Sequence, residues 1–282
     1  MNSSLALFLV FIFCLSVFFI WAVQPASDSR VRMKPFLKTN FAHRGLWDMS
    51  CGIPENSMPA FKRAVKSGYA IEFDVHLTKD NKLVVFHDSS LMRMCKDAGK
   101  IEEMTWEELS KLSLMDTQYR IPLFSEVLEE VDGKVPLLIE LKLPSTNTRM
   151  CPYVYEQLKN YKGQYLIESF NPFALCWFKK NAPEVLRGQL ASKDSQSESI
   201  PYVLRLVSAA LLVNLLSRPN FIAYNIQTKF GMGFRINRNM FRVPIFAWTV
   251  RDGDEYKKVL PKYDGVIFEK FLPGKKDKLK SA

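Results

Sequence analysis

Four short polar groups are set into apolar runs in the first half of the chain: His43-Arg44-Gly45, Glu72-x-Asp74, His87-Asp88 and Glu140-Leu141-Lys142. They contain two of the chain's three histidines. Carboxylates without a thiolate make a hard oxygen donor set, which suits Mg²⁺ or Ca²⁺ better than zinc or copper. With Glu72, Asp74 and Glu140 on one divalent cation, His43 and His87 are free for proton transfer, the work their near-neutral pKa favours. Arg44 and Lys142 are cations of the kind that clamp a phosphate oxygen. Together these residue types describe phosphoester chemistry.

Strands must position them. Phe41-Ala42 runs into His43, Leu83-Val84-Val85-Phe86 into His87, and Val135-Pro136-Leu137-Leu138-Ile139 into Glu140. Side chains two apart on a strand share a face, so Glu72 pairs with Asp74 and Glu140 with Lys142. Like charges held that close are costly unless a cation lies between them. Polar residues at the ends of successive strands are where an α/β barrel builds its site. Helical periodicity over Ser57–Lys66, Trp106–Leu112, Leu123–Val131, Tyr153–Tyr161, Phe173–Asn181 and Asp254–Val259 alternates with the strands, as parallel strands joined by crossovers require. About 240 residues remain after the N-terminal region, the usual size of one such barrel. Nine strand candidates are one too many. The four-residue link Lys79–Lys82 suits a hairpin turn, so one strand is a local excursion that returns His87 to the site.

The order of these groups resembles the glycerophosphodiester phosphodiesterase family. The pattern reads as Ala42-His43-Arg44-Gly45, Pro54-Glu55-Asn56-Ser57, Glu72-Phe73-Asp74-Val75, Leu77-Thr78-Lys79-Asp80, Val84-Val85-Phe86-His87-Asp88 and Glu140-Leu141-Lys142. Weaker echoes follow in Ser169-Phe170-Asn171-Pro172, Ala247-Trp248-Thr249-Val250 and Asp264-Gly265-Val266-Ile267. The resemblance implies an α/β fold, a TIM (β/α)8 barrel of the PLC-like phosphodiesterase type. It implies metal-dependent hydrolysis of glycerophosphodiesters to sn-glycerol 3-phosphate and an alcohol. His43 and His87 would be the acid/base pair, with Glu72, Asp74 and Glu140 holding Mg²⁺ or Ca²⁺. Arg44 and Lys142 would bind phosphate, and Phe170 and Trp248 would line the pocket. Phe268-Glu269 departs from the family's usual Thr-Asp and puts the last strand's contribution in doubt. His76 shares parity with Glu72 and Asp74 but lies a pleat further out, which favours a loop or rim role over a ligand role.

Leu5 to Val23 is an uncharged apolar stretch, about 28 Å long as a helix and close to a bilayer core. No base precedes it and no small-residue cleavage site follows it, so an uncleaved single-pass transmembrane anchor is expected over a signal peptide. Residues 1–26 are then the anchor, 27–39 a basic juxtamembrane linker, 40–272 the barrel and 273–282 a basic tail. Arg30, Arg32, Lys34 and Lys38 follow the span, so the positive-inside rule predicts a cytoplasmic catalytic domain. Cys51, Cys95, Cys151 and Cys176 lack metal or disulfide-like spacing.

The formal charge of +10 brings nucleic acid to mind, but no recognition motif accompanies it. Bases beside a span, those of the tail included, fit anionic headgroups. Tyr202–Leu216 is an apolar run interrupted by one charge, Arg205. It reads as a buried barrel helix, or else as a lid or membrane-dipping helix. Two alternative functions stay open: a lysophospholipase D-like enzyme acting on lysophospholipids, and a non-catalytic binder of phospholipid headgroups.

Overall fold

A computed structural model describes residues 3–193 and 202–274, with side chains omitted for 202–205. Helices α1 (Ser3–Ala22) and α2 (Ser29–Arg32) precede β1 (Asn40–His43), α3 (Met58–Ser67), β2 (Ala70–Leu77) and β3 (Leu83–Val85). Three short helices follow, α4 (Met92–Cys95), α5 (Trp106–Leu109) and α6 (Phe124–Val131). Strands and helices then alternate: β4 (Leu137–Leu141), α7 (Met150–Leu158), β5 (Tyr165–Ser169), α8 (Pro172–Asn181), β6 (Arg187–Ala191). The chain finishes with α9 (Tyr202–Ala209), α10 (Asn214–Ser217), β7 (Phe221–Asn225), α11 (Met232–Asn239), β8 (Ile245–Val250), α12 (Gly253–Val259) and β9 (Gly265–Phe268).

Strands β1, β2 and β4 to β9 pair in parallel, and β1 against β2 closes the ring. The fold is therefore a TIM barrel. Its strands are buried almost throughout, as expected when one face meets the barrel interior and the other the helices. The surplus strand is β3, which runs antiparallel to β2 with Val75 opposite Val85 and Leu77 opposite Leu83. Thr78 N–H donates to the Lys82 carbonyl at 2.9 Å to close the turn, and Asn81 takes the left-handed backbone its side chain tolerates. A separate small core of Val84, Phe86, Leu91, Ile101 and Ile121 supports this excursion.

The barrel interior is filled by Phe41, Leu138, Leu166, Leu190, Phe221, Phe246 and Ile267. Met33 and Phe36 close its floor, while Phe170 and Trp248 cover the end where the strands terminate. Thus the 27–39 stretch, expected as a linker, sends two apolar side chains into the barrel. The Tyr202–Leu216 run is not one helix. Leu211 turns the backbone left-handed between α9 and α10 with its side chain fully buried, and both helices belong to the crossover from β6 to β7.

Helix α1 projects from the barrel, with Leu7 to Phe18 exposed. Its end does not. Ala22 and Val23 are buried, and the Val23 carbonyl accepts from Asn214 Nδ2 and Asn237 Nδ2, each at 2.9 Å. Arg218 Nη1 donates to the Trp21 carbonyl at 2.6 Å and the Gln24 carbonyl at 3.0 Å.

Packing leaves no room at Gly188, where an added Cβ would lie 2.2 Å from Phe221 ring atoms. Gly188→Val is expected to cost about 1–3 kcal/mol or more by overpacking, read as a lowered midpoint in thermal unfolding.

Candidate active site

Parallel register brings the polar groups together. His43 lies beside Glu72, Asp74 beside Glu140, and Glu140 beside Glu168 on adjacent strands. After β1 the backbone is left-handed at Arg44 and Gly45, and a Cβ on Gly45 would press to 2.9 Å from Ala60 Cβ. Glycine there lets α3 approach. The Arg44 N–H consequently points at Glu72 and donates to Oε2 at 3.0 Å. His87 arrives from the β3 hairpin, held where Phe86 N–H donates to the Asp74 carbonyl at 3.0 Å.

Both histidines are orientated by a carboxylate. His43 Nδ1 lies 2.7 Å from Glu269 Oε2, and His87 Nδ1 lies 2.5 Å from Asp88 Oδ1. An ionised carboxylate only accepts, so the Nδ1 atoms carry the protons and the Nε2 atoms keep their lone pairs. His43 Nε2 lies 3.9 Å from Glu72 Oε2. Glu269 also accepts from Arg251 Nε at 2.8 Å. Burial raises the Glu269 pKa, but His43 and Arg251 outweigh that and bring it to about 2. His43 is pushed below its ordinary value, by burial first and Arg44 second, against the upward pull of Glu269. His87 is lowered to about 4, chiefly by burial and then by Lys142. Both rings are neutral near pH 7.

The acids converge. Glu72, Asp74 and Glu140 each offer an oxygen within 4.8 Å of the others, all buried. Lys142 Nζ lies 3.0 Å from Asp74 Oδ1 and 2.7 Å from Glu140 Oε1. Burial raises Asp74, but Lys142, His87, Arg44 and the Asn56 hydrogen bond (2.8 Å to Oδ2) hold it well below the usual range. Glu72 is pushed well up by burial and by Asp74 and Glu168. Glu140 is pushed up to about 7 by burial, with Lys142 opposing. Lys142, together with an Arg44 guanidinium that is 3.7 Å from Asp74 but shared with Glu55, is too little positive charge for these carboxyls. A hard divalent cation would supply the rest, so the donor set fits one.

All nine residues expected from the sequence lie in this region. His43, Arg44, Glu72, Glu140, Lys142, Phe170, His87 and Trp248 line one cavity of about 820 Å³, and buried Asp74 sits beneath it. Phe170 and Trp248 meet edge to face at 5.6 Å and form its aromatic wall. His76 corrects the loop-or-rim expectation. It is a buried residue of β2, with Nδ1 2.9 Å from Glu102 Oε1 and Nε2 3.1 Å from the His87 carbonyl, so it buttresses the hairpin. The doubt over the last strand is likewise answered, since Glu269 holds His43.

Other residues were missed. Glu55 accepts from Arg44 Nη1 at 2.7 Å and Arg93 Nη2 at 2.6 Å, and Arg93 Nε donates to Asp88 at 2.6 Å. Its only signal was membership of Pro54-Glu55-Asn56-Ser57. Glu168 is buried in the cavity wall, and its Oε2 has no hydrogen-bond partner among the described residues. Its pKa is pushed well up, by burial first and then by Glu140 and Asp74. A lone acid in the strand Tyr165–Ser169 was the available cue.

Glu269→Gln keeps the shape but loses the charge on the His43 hydrogen bond. We expect kcat to fall by ~100-fold or more with KM little changed. Because Glu269 pulls the His43 pKa upward, its loss lowers that pKa further. The acid limb of the kcat–pH profile should therefore move to lower pH.

The model of the "Glycerophosphoryl diester phosphodiesterase family" matches residues 43–270. A glycerophosphodiester phosphodiesterase of Caldanaerobacter subterraneus subsp. tengcongensis is 33% identical over 243 residues, 80% of this chain and 91% of that protein. A solved Oleispira antarctica phosphodiesterase in complex with the product sn-glycerol-3-phosphate matches with TM-score 0.68 at 25% identity, covering 83% of this chain and 94% of that one. A lysophospholipase D of Rattus norvegicus is 31% identical over 161 residues, 52% of this chain and 49% of that protein.

Proposed function

The chain belongs to the glycerophosphoryl diester phosphodiesterase family and is a phosphodiester hydrolase, and we propose that it cleaves glycerophosphodiesters to sn-glycerol 3-phosphate and an alcohol with His43 and His87 as the proton-transfer pair. The observation that carries this reading is the pairing of two carboxylate-held histidines across one buried acid cluster, inside a single cavity. Glu72, Asp74 and Glu140 would hold a divalent cation, Mg²⁺ or Ca²⁺, which when bound would supply Lewis-acid polarisation of the phosphoryl group. Arg44 and Lys142 add positive charge where the phosphoryl oxygens become more negative. One histidine takes the nucleophile's proton at its free Nε2, and the other, once it has gained a proton from solvent at its own Nε2, delivers that proton to the leaving alkoxide. Phe170 and Trp248 exclude water from one side and pack the organic part of the substrate.

Lysophospholipase D-like cleavage is the second reading, favoured by the aromatic wall and by the rat relative that bears that name. A metal-replete assay with glycerophosphocholine and lysophosphatidylcholine separates the two, since each reading predicts the faster substrate. We expect His43→Ala and His87→Ala each to lower turnover by ~10²–10⁴-fold, with divalent-cation binding by calorimetry nearly intact. Chelation should abolish activity and added Mg²⁺ or Ca²⁺ should restore it. Activity that survives chelation would remove the cation from the scheme.

Membrane attachment is part of the same proposal. Helix α1 has the length and apolarity of a single span, and its last turn is locked into the barrel by Asn214, Asn237 and Arg218. Cleavage after Ala22 or Val23 would sever a buried segment, so we read the helix as a retained anchor. By the positive-inside rule the bases after it support a cytoplasmic barrel, which a C-terminal topology reporter checks. Intact mass of the membrane-bound protein should include α1. A mature chain beginning near Gln24 would sink the anchor.

A further inference from the structure

We propose that the barrel face formed by α10, α11 and the loop before α11 lies on the bilayer as a contact surface for anionic lipid headgroups. The proposal rests on α1 being a membrane span, and it adds which face of the barrel that span brings to the lipid. The exit of α1 sets the geometry. Val23, the residue that follows α1, is clasped by Asn214 of α10 and Asn237 of α11 through one carbonyl. Arg218 brackets the same turn, donating on both sides of it, with its guanidinium 5.1 Å over the Trp21 ring. Beyond it the Ala26 N–H donates to the Pro219 carbonyl at 3.0 Å. No slack joins the helix to the barrel. A bilayer around α1 must therefore meet the flanking helices.

Those flanks have the chemistry of a lipid surface. From Ser199 to Arg251 the chain has no aspartate or glutamate, yet it carries Arg205, Arg218, Lys229, Arg235, Arg238, Arg242 and Arg251. Among the described residues, no ion pair involves a base between 206 and 250. Between the unpaired bases stand exposed apolar side chains, Leu216 on α10, Phe230 before α11, and Met232 and Met240 on and just after α11 at 68% and 61% exposure. Along α11 the buried positions are Gly233, Phe234 and Asn237, which leaves Met232 and Arg235 together on the outer side. Lysine and arginine among exposed apolar residues, without acids, match an interface of anionic headgroups over acyl chains. The loop after β7 joins this face to the cavity, because Asn225 and Gln227 line the mouth two residues before Lys229.

The test uses the full chain in vesicles of phosphatidylcholine, with or without phosphatidylglycerol. A photoreactive benzophenone residue replaces Met232, Met240 or, on the distant α4, the exposed Met92, and phospholipid adducts are counted by mass spectrometry. We expect several-fold more adduct at 232 and 240 than at 92, rising with phosphatidylglycerol. Lys229→Glu combined with Arg235→Glu should remove that rise, while hydrolysis of water-soluble glycerophosphocholine stays unchanged. Equal adduct at all three positions, or adduct indifferent to phosphatidylglycerol and to charge reversal, would overturn the proposal. Carbonate extraction is read in parallel. Release of the chain from the vesicles refutes the anchor and the proposal with it, whereas loss of hydrolysis with the adduct pattern intact refutes only the catalytic reading.

Discussion

Mutual repulsion among buried carboxylates is the constraint around which the site is arranged. Glu72, Asp74 and Glu140 converge within 4.8 Å, and Glu168 follows on the next strand. Charges removed from water this way are tolerated only when paired and hydrogen-bonded. Lys142 reaches two of the acids, Arg44 gives its backbone N–H to Glu72, and Asn56 gives an amide to Asp74. Arg44 is in turn steadied by Glu55, which Arg93 ties to Asp88 and thence to His87. The acid cluster and His87, one of the two proposed proton-transfer residues, thus belong to a single network of alternating charge. A change at Glu55 would be felt at both ends.

The two histidines reach the cavity by different routes but arrive in the same electronic condition. His43 comes at the end of a barrel strand, and its carboxylate comes from the far end of the chain, after β9. His87 comes from a hairpin that is no part of the barrel ring, and its carboxylate is the adjacent residue. A hairpin is a less rigid support than a closed ring. Here it is reinforced by its own apolar core and by His76, buried between Glu102 and the His87 backbone. The third histidine therefore has a definite task without touching the acid cluster by any hydrogen bond or ion pair among the described residues.

Local pattern carried the barrel and the convergence of His43, Arg44, Glu72, Asp74, His87, Glu140 and Lys142, because strand parity and strand-end placement are properties of neighbouring residues, whereas Phe170 and Trp248 came only through the family resemblance. Glu72 and Asp74 had to share a face once Ala70–Leu77 was a strand, and four residues before Leu83 left only a hairpin. What local pattern cannot hold is partnership across the closure of the ring. Glu269 meets His43 only because β9 pairs with β1, a contact between residues more than two hundred positions apart. The identity of the extra strand was hidden for the same reason, since β3 differs from its neighbours in direction, not composition. Tyr202–Leu216 misled as a continuous run because a buried leucine with a left-handed backbone leaves no proline or glycine mark.

Docking of α1 alters what the barrel's own surface must do. A domain on a flexible tether samples all orientations, and its outer helices need only be soluble. A domain whose anchor is gripped by buried asparagines samples few, so under the proposed anchoring the residues beside the grip would meet the lipid continuously. Asn214 and Asn237 are fully buried and spend an amide donor each on one carbonyl of a preceding segment. If that segment were absent, Asn214 Nδ2 would lose its partner in the interior, at a cost of about 1–3 kcal/mol, while Asn237 Nδ2 would keep only the Gly233 carbonyl at 3.0 Å. The same interaction that fixes α1 therefore makes the folded barrel depend on keeping it, and under the proposed anchoring it would tie the direction of the cavity mouth to the plane of the membrane.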